Sequence, residues 1–281
     1  MIAVILHPGE MGISVAAAAI ESGHRVLWVS EGRSEKTKKR AELHNLEDVG
    51  HLTEVCGSDI IFSICPPQVA IETAENVSEI GFGGLYVDAN AGSPERKRII
   101  SEILKRKNID FVDAGIIGLP AISEGSTRMY VSGERSEEVE KFFSDGFLGV
   151  KSIGSEIGKA AALKIAYGAW TKGSSALILA VRAMAKSSGV EEDLLKEWAV
   201  SQPNAEAMTL LSASLNPPKA WRFVSEMHEI SKTFEAENIP NAFWDAAAEV
   251  YERLKEFKDL PEDQFDIDTV LWKLIEANED I

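Results

Sequence analysis

Cysteine, histidine and basic residues are all scarce in this chain of 281 residues. The two cysteines, Cys56 and Cys65, are too few for a disulfide framework, and no CxxC pair offers a metal site. His7, His24, His44, His51 and His228 show no HxxxH or comparable ligand spacing, so no metal is expected. Lys and Arg number 29 against 45 Asp and Glu, a formal net charge of −16. Holding a phosphate backbone needs a basic face, so nucleic acid is not an expected partner. Any small anionic ligand must instead be held by local positive features, such as helix N-termini and a few cations. Also missing is a long uncharged apolar run. The opening "MIAVILHPGEMG" is apolar over only a few residues and has no basic leader or cleavage site, which reads as a strand and not a signal peptide. The longest helical stretch carries Lys159, Lys164 and Lys172 and does not suit a membrane span. A cytoplasmic location with no membrane partner follows as an expectation.

What is present is ordinary globular composition, 45% apolar and 26% charged, on a chain long enough for two domains. The first half alternates strand and helix patterns. Apolar runs at 2–7, 25–30, 59–65, 84–90, 109–116 and 127–133 read as strands. Helices are expected after the first Gly turn up to Gly23, over 34–44, and from Ser93-Pro94 onward. Mostly continuous apolar strands separated by helices imply a doubly wound, mostly parallel sheet covered on both faces. After about residue 155 no strand pattern remains. Helices are expected over 157–187, 191–201, 203–214, 218–238, 241–256 and 266–278, with breaks at Asn216-Pro217-Pro218 and "NIPN" (238–241). The plan is an α/β Rossmann domain over 1–155 and an all-helical substrate and dimerisation domain over 156–281.

"ILHPGEMG" lies between the first strand and the first helix, where a dinucleotide-binding turn belongs. Gly9 and Gly12 fill the second and third glycine positions of that turn, while His7 stands at the first. Glycines there let the backbone approach a pyrophosphate that rests on the helix N-terminus. His7, Pro8, Gly9, Glu10, Met11 and Gly12 are therefore candidate cofactor contacts. Cys65 and Pro66, at the end of a buried strand, and Asn90, at the end of the next, join them. The end of the second strand, "VSEGRSEK", decides the cofactor. Glu31 would bond the ribose hydroxyls of NAD, whereas Arg33 and Ser34 suit the extra phosphate of NADP. Ser34 also serves equally as a plain helix cap. NADP is the expected cofactor, with NAD the alternative.

The stretch "GKAAALKIAYGAWTKG" (158–173) begins a helix free of proline. Ala160, Ala161, Gly168 and Thr171, all small, share a face with Lys164. This leaves a hollow around a long cationic side chain. Either a ligand fills it, or another helix approaches closely while Lys164 reaches past it to water.

Taken together, these segments resemble the β-hydroxyacid dehydrogenase and 6-phosphogluconate dehydrogenase superfamily. The matching pieces are "GEMG", "FSICPP", "DANAGSP" (Asp88–Pro94), "DAGIIGLPAISEGSTRMYVSG" (Asp113–Gly133) and Gly158 to Lys164, a loose match to the family's G-x-x-x-K-x-x-x-N. The branch resembled most is a less-characterised one carrying Lys164, Tyr167, "TKG" and "EMHEI" (226–230). The resemblance implies a Rossmann domain followed by a 6-phosphogluconate dehydrogenase C-terminal-like domain, an NADP-dependent oxidoreductase and a homodimer. It implies that Lys164 exchanges a proton with the substrate while hydride moves to or from the nicotinamide. Asn90, Tyr167, Lys172 and Arg222 are the implied contacts to a small anionic substrate. Three positions depart from the pattern. A carboxylate-gripping serine is replaced by Ile117, an asparagine by Gly168, and a glutamate acid by Thr171. Standard sugar-acid decarboxylation is not expected as a result. A hydroxy acid, its oxo acid or a related imine stays open as substrate, and a non-catalytic sensor of nicotinamide redox state is the alternative function.

Overall fold

The computed structural model describes residues 1–121, 124–261 and 264–276. The "DAGIIGLPAISEGSTRMYVSG" segment includes Ile122 and Ser123, and the last expected helix includes residues 277 and 278. These four lie outside the described residues.

The chain divides into two compact units, Met1–Lys164 and a second beginning at Ile165. The first is built on an eight-stranded sheet of order β3-β2-β1-β4-β5-β6-β7-β8. Its strands are β1 (Ile2–Ile5), β2 (Arg25–Trp28), β3 (Glu47–Asp48), β4 (Ile60–Ser63), β5 (Leu85–Asp88), β6 (Asp110–Gly118), β7 (Thr127–Ser132) and β8 (Gly149–Ser152). All pairings are parallel except β6 with β7. The helices α1 (Glu10–Glu21), α2 (Glu35–Leu43), α3 (Ala70–Glu79), α4 (Pro94–Lys105) and α5 (Ser136–Phe142) connect them.

Period-two alternation sends successive side chains to opposite faces of the sheet, so one strand feeds two cores. Ala3 and Ile5 join Val15, Ala19, Phe62 and Phe142 on one face. Val4 and Leu6 join Leu27, Ile61, Tyr86 and Ile100 on the other. Local chemistry sets the helix ends. Gly23 closes α1 at φ +79°. Ser34 caps α2 by accepting from the Thr37 N–H at 3.3 Å, and Ser93 caps α4 the same way through Arg96 with Pro94 at its first position.

The helix α6 (Lys159–Ser187) begins in the first unit and continues into the second. The second unit adds α7 (Glu191–Ser201), α8 (Ala205–Leu215), α9 (Ala220–Ala236), α10 (Ala242–Arg253) and α11 (Ile267–Ile275). Its core is formed by Ile165, Leu179, Met227, Ile230, Ala248, Tyr251, Leu254 and Leu271, among others. Gly173 has a structural task there, since a Cβ would stand 2.4 Å from the Trp244 ring. The division after Lys164 falls inside α6 because the first turn of that helix is hydrogen-bonded to β6 and β7.

Candidate functional site

In the parallel ladder Ser63, Asp88 and Asp113 stand rung to rung on β4, β5 and β6. Cys65, Asn90 and Gly115 each follow two residues later, and His7 follows two residues after Ile5, the last paired residue of β1. These positions emerge together on the carboxyl edge of the sheet. Strand order reverses between β1 and β4, and open parallel sheets bind ligands at that crevice.

The two glycines after β1 do different work. A Cβ at Gly12 would lie 2.1 Å from the His7 carbonyl oxygen, so only glycine lets α1 pack this close to the turn. A Cβ at Gly9 would meet no protein atom within 4 Å, and Gly9 has φ −67° and ψ −169°, open to any residue. Its own fold does not require glycine at position 9, whereas backbone approach by a ligand would. Gly9 is the N-cap of α1 and supplies no side-chain cap, so the first N–H groups of that helix stay directed at the turn.

His7, Arg33, Cys65 and Arg40 border the turn. His7 is half-buried, and burial, with the nearby Arg33 cation second, pulls its pKa down to about 4, leaving the imidazole neutral near pH 7. Its Nδ1 and the Nε of Arg33 are buried without a hydrogen-bond partner among the described residues. Burial likewise pushes the Cys65 thiol up. Arg40 on α2 donates from Nη1 to the Pro8 carbonyl at 3.3 Å and ties the turn to that helix. Sequence reasoning missed Arg40, whose only signal was its place in the last turn of α2. Ser34 is the cap of α2 and exposed. Glu31, the alternative ribose ligand, lies 3.2 Å from His51 Nδ1.

Asn90 is buried and works within the chain. Its Oδ1 accepts from the Cys65 N–H, its Nδ2 donates to Ser63 Oγ at 3.1 Å, and its own N–H donates to Asp88 Oδ1 at 2.8 Å. Beneath it lies a buried ionic cluster. Lys97 Nζ stands 3.2 Å from Asp88 Oδ1 and 3.4 Å from Asp113 Oδ1, and all three residues are at most 1% exposed. Burial raises the Asp88 carboxyl against the opposing pull of Lys97. Asp113 Oδ2 in turn accepts from the Gly158 and Ala161 N–H groups at 3.1 and 3.0 Å, and Ser132 Oγ accepts from Ala160 N–H at 3.1 Å. The start of α6 is therefore fixed to the sheet. A Cβ at Gly115 would lie 2.7 Å from the Ala160 carbonyl and 3.1 Å from Lys164 Cβ, so Lys164 is rooted directly on β6 at the carboxyl edge. Lys97 escaped the sequence reading too. The available signal was a lone charge on the buried side of α4, which it shares with Pro94, Ile100 and Leu104.

In the helical unit, Lys172 pairs with Glu226 of α9 and stands 5.0 Å from the Phe223 ring centroid, while its carbonyl accepts from Tyr251 Oη at 2.7 Å. Arg222 lies over the Trp221 ring at 5.8 Å, and Tyr167 is 46% exposed. Glu226, four residues after Arg222 on α9, is thus engaged by Lys172.

Residues 4–146 match the NAD binding domain of 6-phosphogluconate dehydrogenase, half of the chain. The chain belongs to that family. Residues 185–254 match a second family described only as a domain of unknown function. The 28.5 kDa protein in the 7S RNA 5′ region of Methanothermus fervidus, itself uncharacterised, is 31% identical over 167 residues. That match spans 59% of this chain and 64% of the relative's length, less than two thirds of it. One solved structure, a conserved protein described as structurally similar to 3-hydroxyacid dehydrogenases, is 27% identical and superposes with TM-score 0.76 over 92% of this chain and 98% of its own. An imine reductase from Myxococcus stipitatus in complex with NADP+ shares the fold at 17% identity and TM-score 0.56, covering 98% of this chain and 100% of its own.

The glycine turn lies between β1 and α1, where the sequence pattern placed it. The three departing positions have defined settings. Ile117 is buried on β6 in register with Arg128. A Cβ at Gly168 would fall 3.7 Å from Ile230 and 3.9 Å from Lys172 Nζ. Thr171 bonds its hydroxyl back to the Tyr167 carbonyl at 3.0 Å.

Proposed function

We propose that this protein is an NADP-dependent oxidoreductase acting on a small hydroxy acid, its oxo counterpart or a related imine, with Lys164 as general acid/base. The observation that carries this reading is the rooting of Lys164 on Gly115, two residues past the last parallel rung, at the ligand-binding edge of the sheet. The bound nicotinamide would supply hydride acceptance or donation. His7, Pro8, Gly9, Glu10, Met11 and Gly12 would hold the pyrophosphate through backbone and helix N-terminus, with Cys65, Pro66 and Asn90 beside them. Arg33 and Ser34 would take the 2′-phosphate. The orphaned Nε of Arg33 and the engagement of Glu31 by His51 both favour NADP over NAD. Lys164 would hand a proton to the substrate oxygen or nitrogen, or remove one, an effect on the order of 10²–10⁴-fold in rate. Asn90, Tyr167, Lys172 and Arg222 would contact the substrate.

The imine version has its own support. Lys172 is already neutralised by Glu226, and the serine position is Ile117, so less positive and hydrogen-bonding capacity is left for a substrate carboxylate. A homodimer is also proposed, because Leu163, Tyr167, Trp170, Leu177 and Met184 are 37–71% exposed along α6, and Leu163, Trp170, Leu177 and Met184 recur every seven residues on one stripe of the helix. No helix of the described residues is long and apolar enough to cross a membrane, and a cytoplasmic location remains a proposal.

The test follows NADPH fluorescence with a panel of small oxo acids, aldehydes and imines. Consumption is expected with at least one class. Lys164→Ala should lower the rate about 10²–10⁴-fold without weakening NADPH binding. NADPH that binds but is never consumed, with Lys164→Ala indistinguishable from wild type, would replace this reading with a redox sensor.

A further inference from the structure

Lys97 is the one fully buried lysine among the described residues of the first unit. Its burial is matched completely. Nζ donates to the Asp88 carbonyl at 2.8 Å and the Asn90 carbonyl at 3.0 Å, and faces the Asp88 and Asp113 carboxylates at 3.2 and 3.4 Å. Two carboxylates against one ammonium leave an excess negative charge in a dry site. The Gly158, Ala160 and Ala161 N–H groups at the start of α6 meet that excess, two at Asp113 Oδ2 and one through Ser132. The strand ends of β5 and β6, the start of α4 and the start of α6 are therefore locked in one polar cluster. Pro94 reinforces it, since a Cβ at Gly158 (φ +99°) would stand 3.1 Å from Pro94 Cβ.

We infer that Lys97 is a positioning residue for Lys164, acting through Asp113 and the first turn of α6. This rests on the reading of Lys164 as the acid/base group. Lys97 Nζ faces Asp113 Oδ1, which leaves Asp113 Oδ2 as the double acceptor. Asp113 holds the Ala161 N–H one turn before Lys164, and Lys164 Cβ then seats on Gly115. With the ammonium gone, nothing bridges the Asp88 and Asp113 carboxylates, and Asp113 Oδ1 loses the contact that fixes it. Asp113 then grips α6 less well, and the base of Lys164 shifts. A displacement near 1 Å at a reacting group costs on the order of 10²-fold in rate.

The experiment is Lys97→Met in the full-length protein, read through Lys164 itself. Trace acylation with isotopically labelled acetic anhydride across pH, followed by mass spectrometry of the peptide holding Lys164, reports the reactivity and titration of its amine without any substrate. At least a threefold change in Lys164 labelling relative to Lys159 is expected, with NADPH affinity within twofold of wild type. Turnover of whichever panel substrate is consumed should fall about 10²-fold, in kcat more than in KM. If Lys97→Met does not fold, Asp113→Asn removes the charge at constant size and is read the same way. A folded variant whose Lys164 labelling profile matches wild type overturns the inference. If labelling shifts but Lys164→Ala leaves turnover intact, positioning stands and the acid/base reading fails.

Discussion

Gly9 and Gly12 stand three residues apart in one turn, yet the structure assigns them opposite sensitivities. A methyl group at Gly12 would sit 2.1 Å from the His7 carbonyl oxygen and 3.1 Å from its carbon. Both are backbone atoms, so α1 or the turn must move by roughly 1 Å, the kind of overpacking that costs about 1–3 kcal/mol. For a unit of this size that is a fall of about 2–12 °C in Tm. At Gly9 the same methyl group meets no protein atom within 4 Å, and the backbone angles suit alanine. Gly9→Ala should leave Tm unchanged or raise stability by about 0.4–1 kcal/mol through the unfolded chain. Ligand binding reverses the picture. The Gly9 methyl would stand where a pyrophosphate needs backbone contact, and NADPH affinity should drop at least about tenfold, worth ~1.4 kcal/mol. Thermal melts with and without NADPH, together with fluorescence titration, separate the two effects. Gly9→Ala binding NADPH as wild type does would refute the placement of the pyrophosphate. Gly12→Ala melting with wild type would refute the packing argument.

Arg33→Ala should weaken NADPH binding about tenfold or more and leave NADH binding nearly unchanged, measured by parallel titration; equal losses for both cofactors would remove the 2′-phosphate assignment. His7 has a folded pKa near 4 against 6.5 unfolded, so the unfolded chain takes up more protons between those values, and the stability from keeping His7 neutral is present above pH 6.5 and lost as pH falls toward 4. Denaturant titrations should show a loss of about 3 kcal/mol across that window, less in His7→Gln, and identical slopes in both proteins would contradict it. Trp170→Glu should convert a dimer to monomers in sedimentation experiments, and wild-type protein that is monomeric at micromolar concentration would count against the seam on α6.

The six expected strands and the six C-terminal helices were legible because each rests on a run of one periodicity: continuous apolar residues for buried strands, and long proline-free stretches for helices such as α6. Two strands were not. β3 is two exposed residues, Glu47 and Asp48, and β8 reads "GVKS" with no fully buried residue, so neither carries an apolar signal. Both owe their strand geometry to the edge they pair with. The glycine turn between β1 and α1 was readable from glycine spacing, since close backbone approach restricts residue type. The cluster of Lys97, Asp88, Asp113 and Ser132 was hidden because its members come from α4 and from the ends of β5, β6 and β7. Charged residues far apart in sequence look like solvated ones until packing shows them dry.

A chain with net charge −16 that holds a dinucleotide needs a reason why long-range repulsion does not prevent it. Screening supplies part of that reason, because surface carboxylates beyond about 8 Å contribute little at physiological ionic strength. A polyanion must track an extended surface and would meet many of them, whereas a dinucleotide meets one turn. What decides binding is therefore the local state of each cation. Lys97 is consumed by Asp88 and Asp113, Lys172 by Glu226, and Lys186 by Glu191 and Asp268. Arg33 differs, with a buried Nε that has no hydrogen-bond partner among the described residues and lies beside a neutral His7 and the uncapped start of α1. On the proposed reading, a phosphate oxygen arriving there would meet a desolvated donor, and its charge would be stabilised without first breaking an ion pair. The positive feature proposed for so acidic a chain is that guanidinium together with the start of α1.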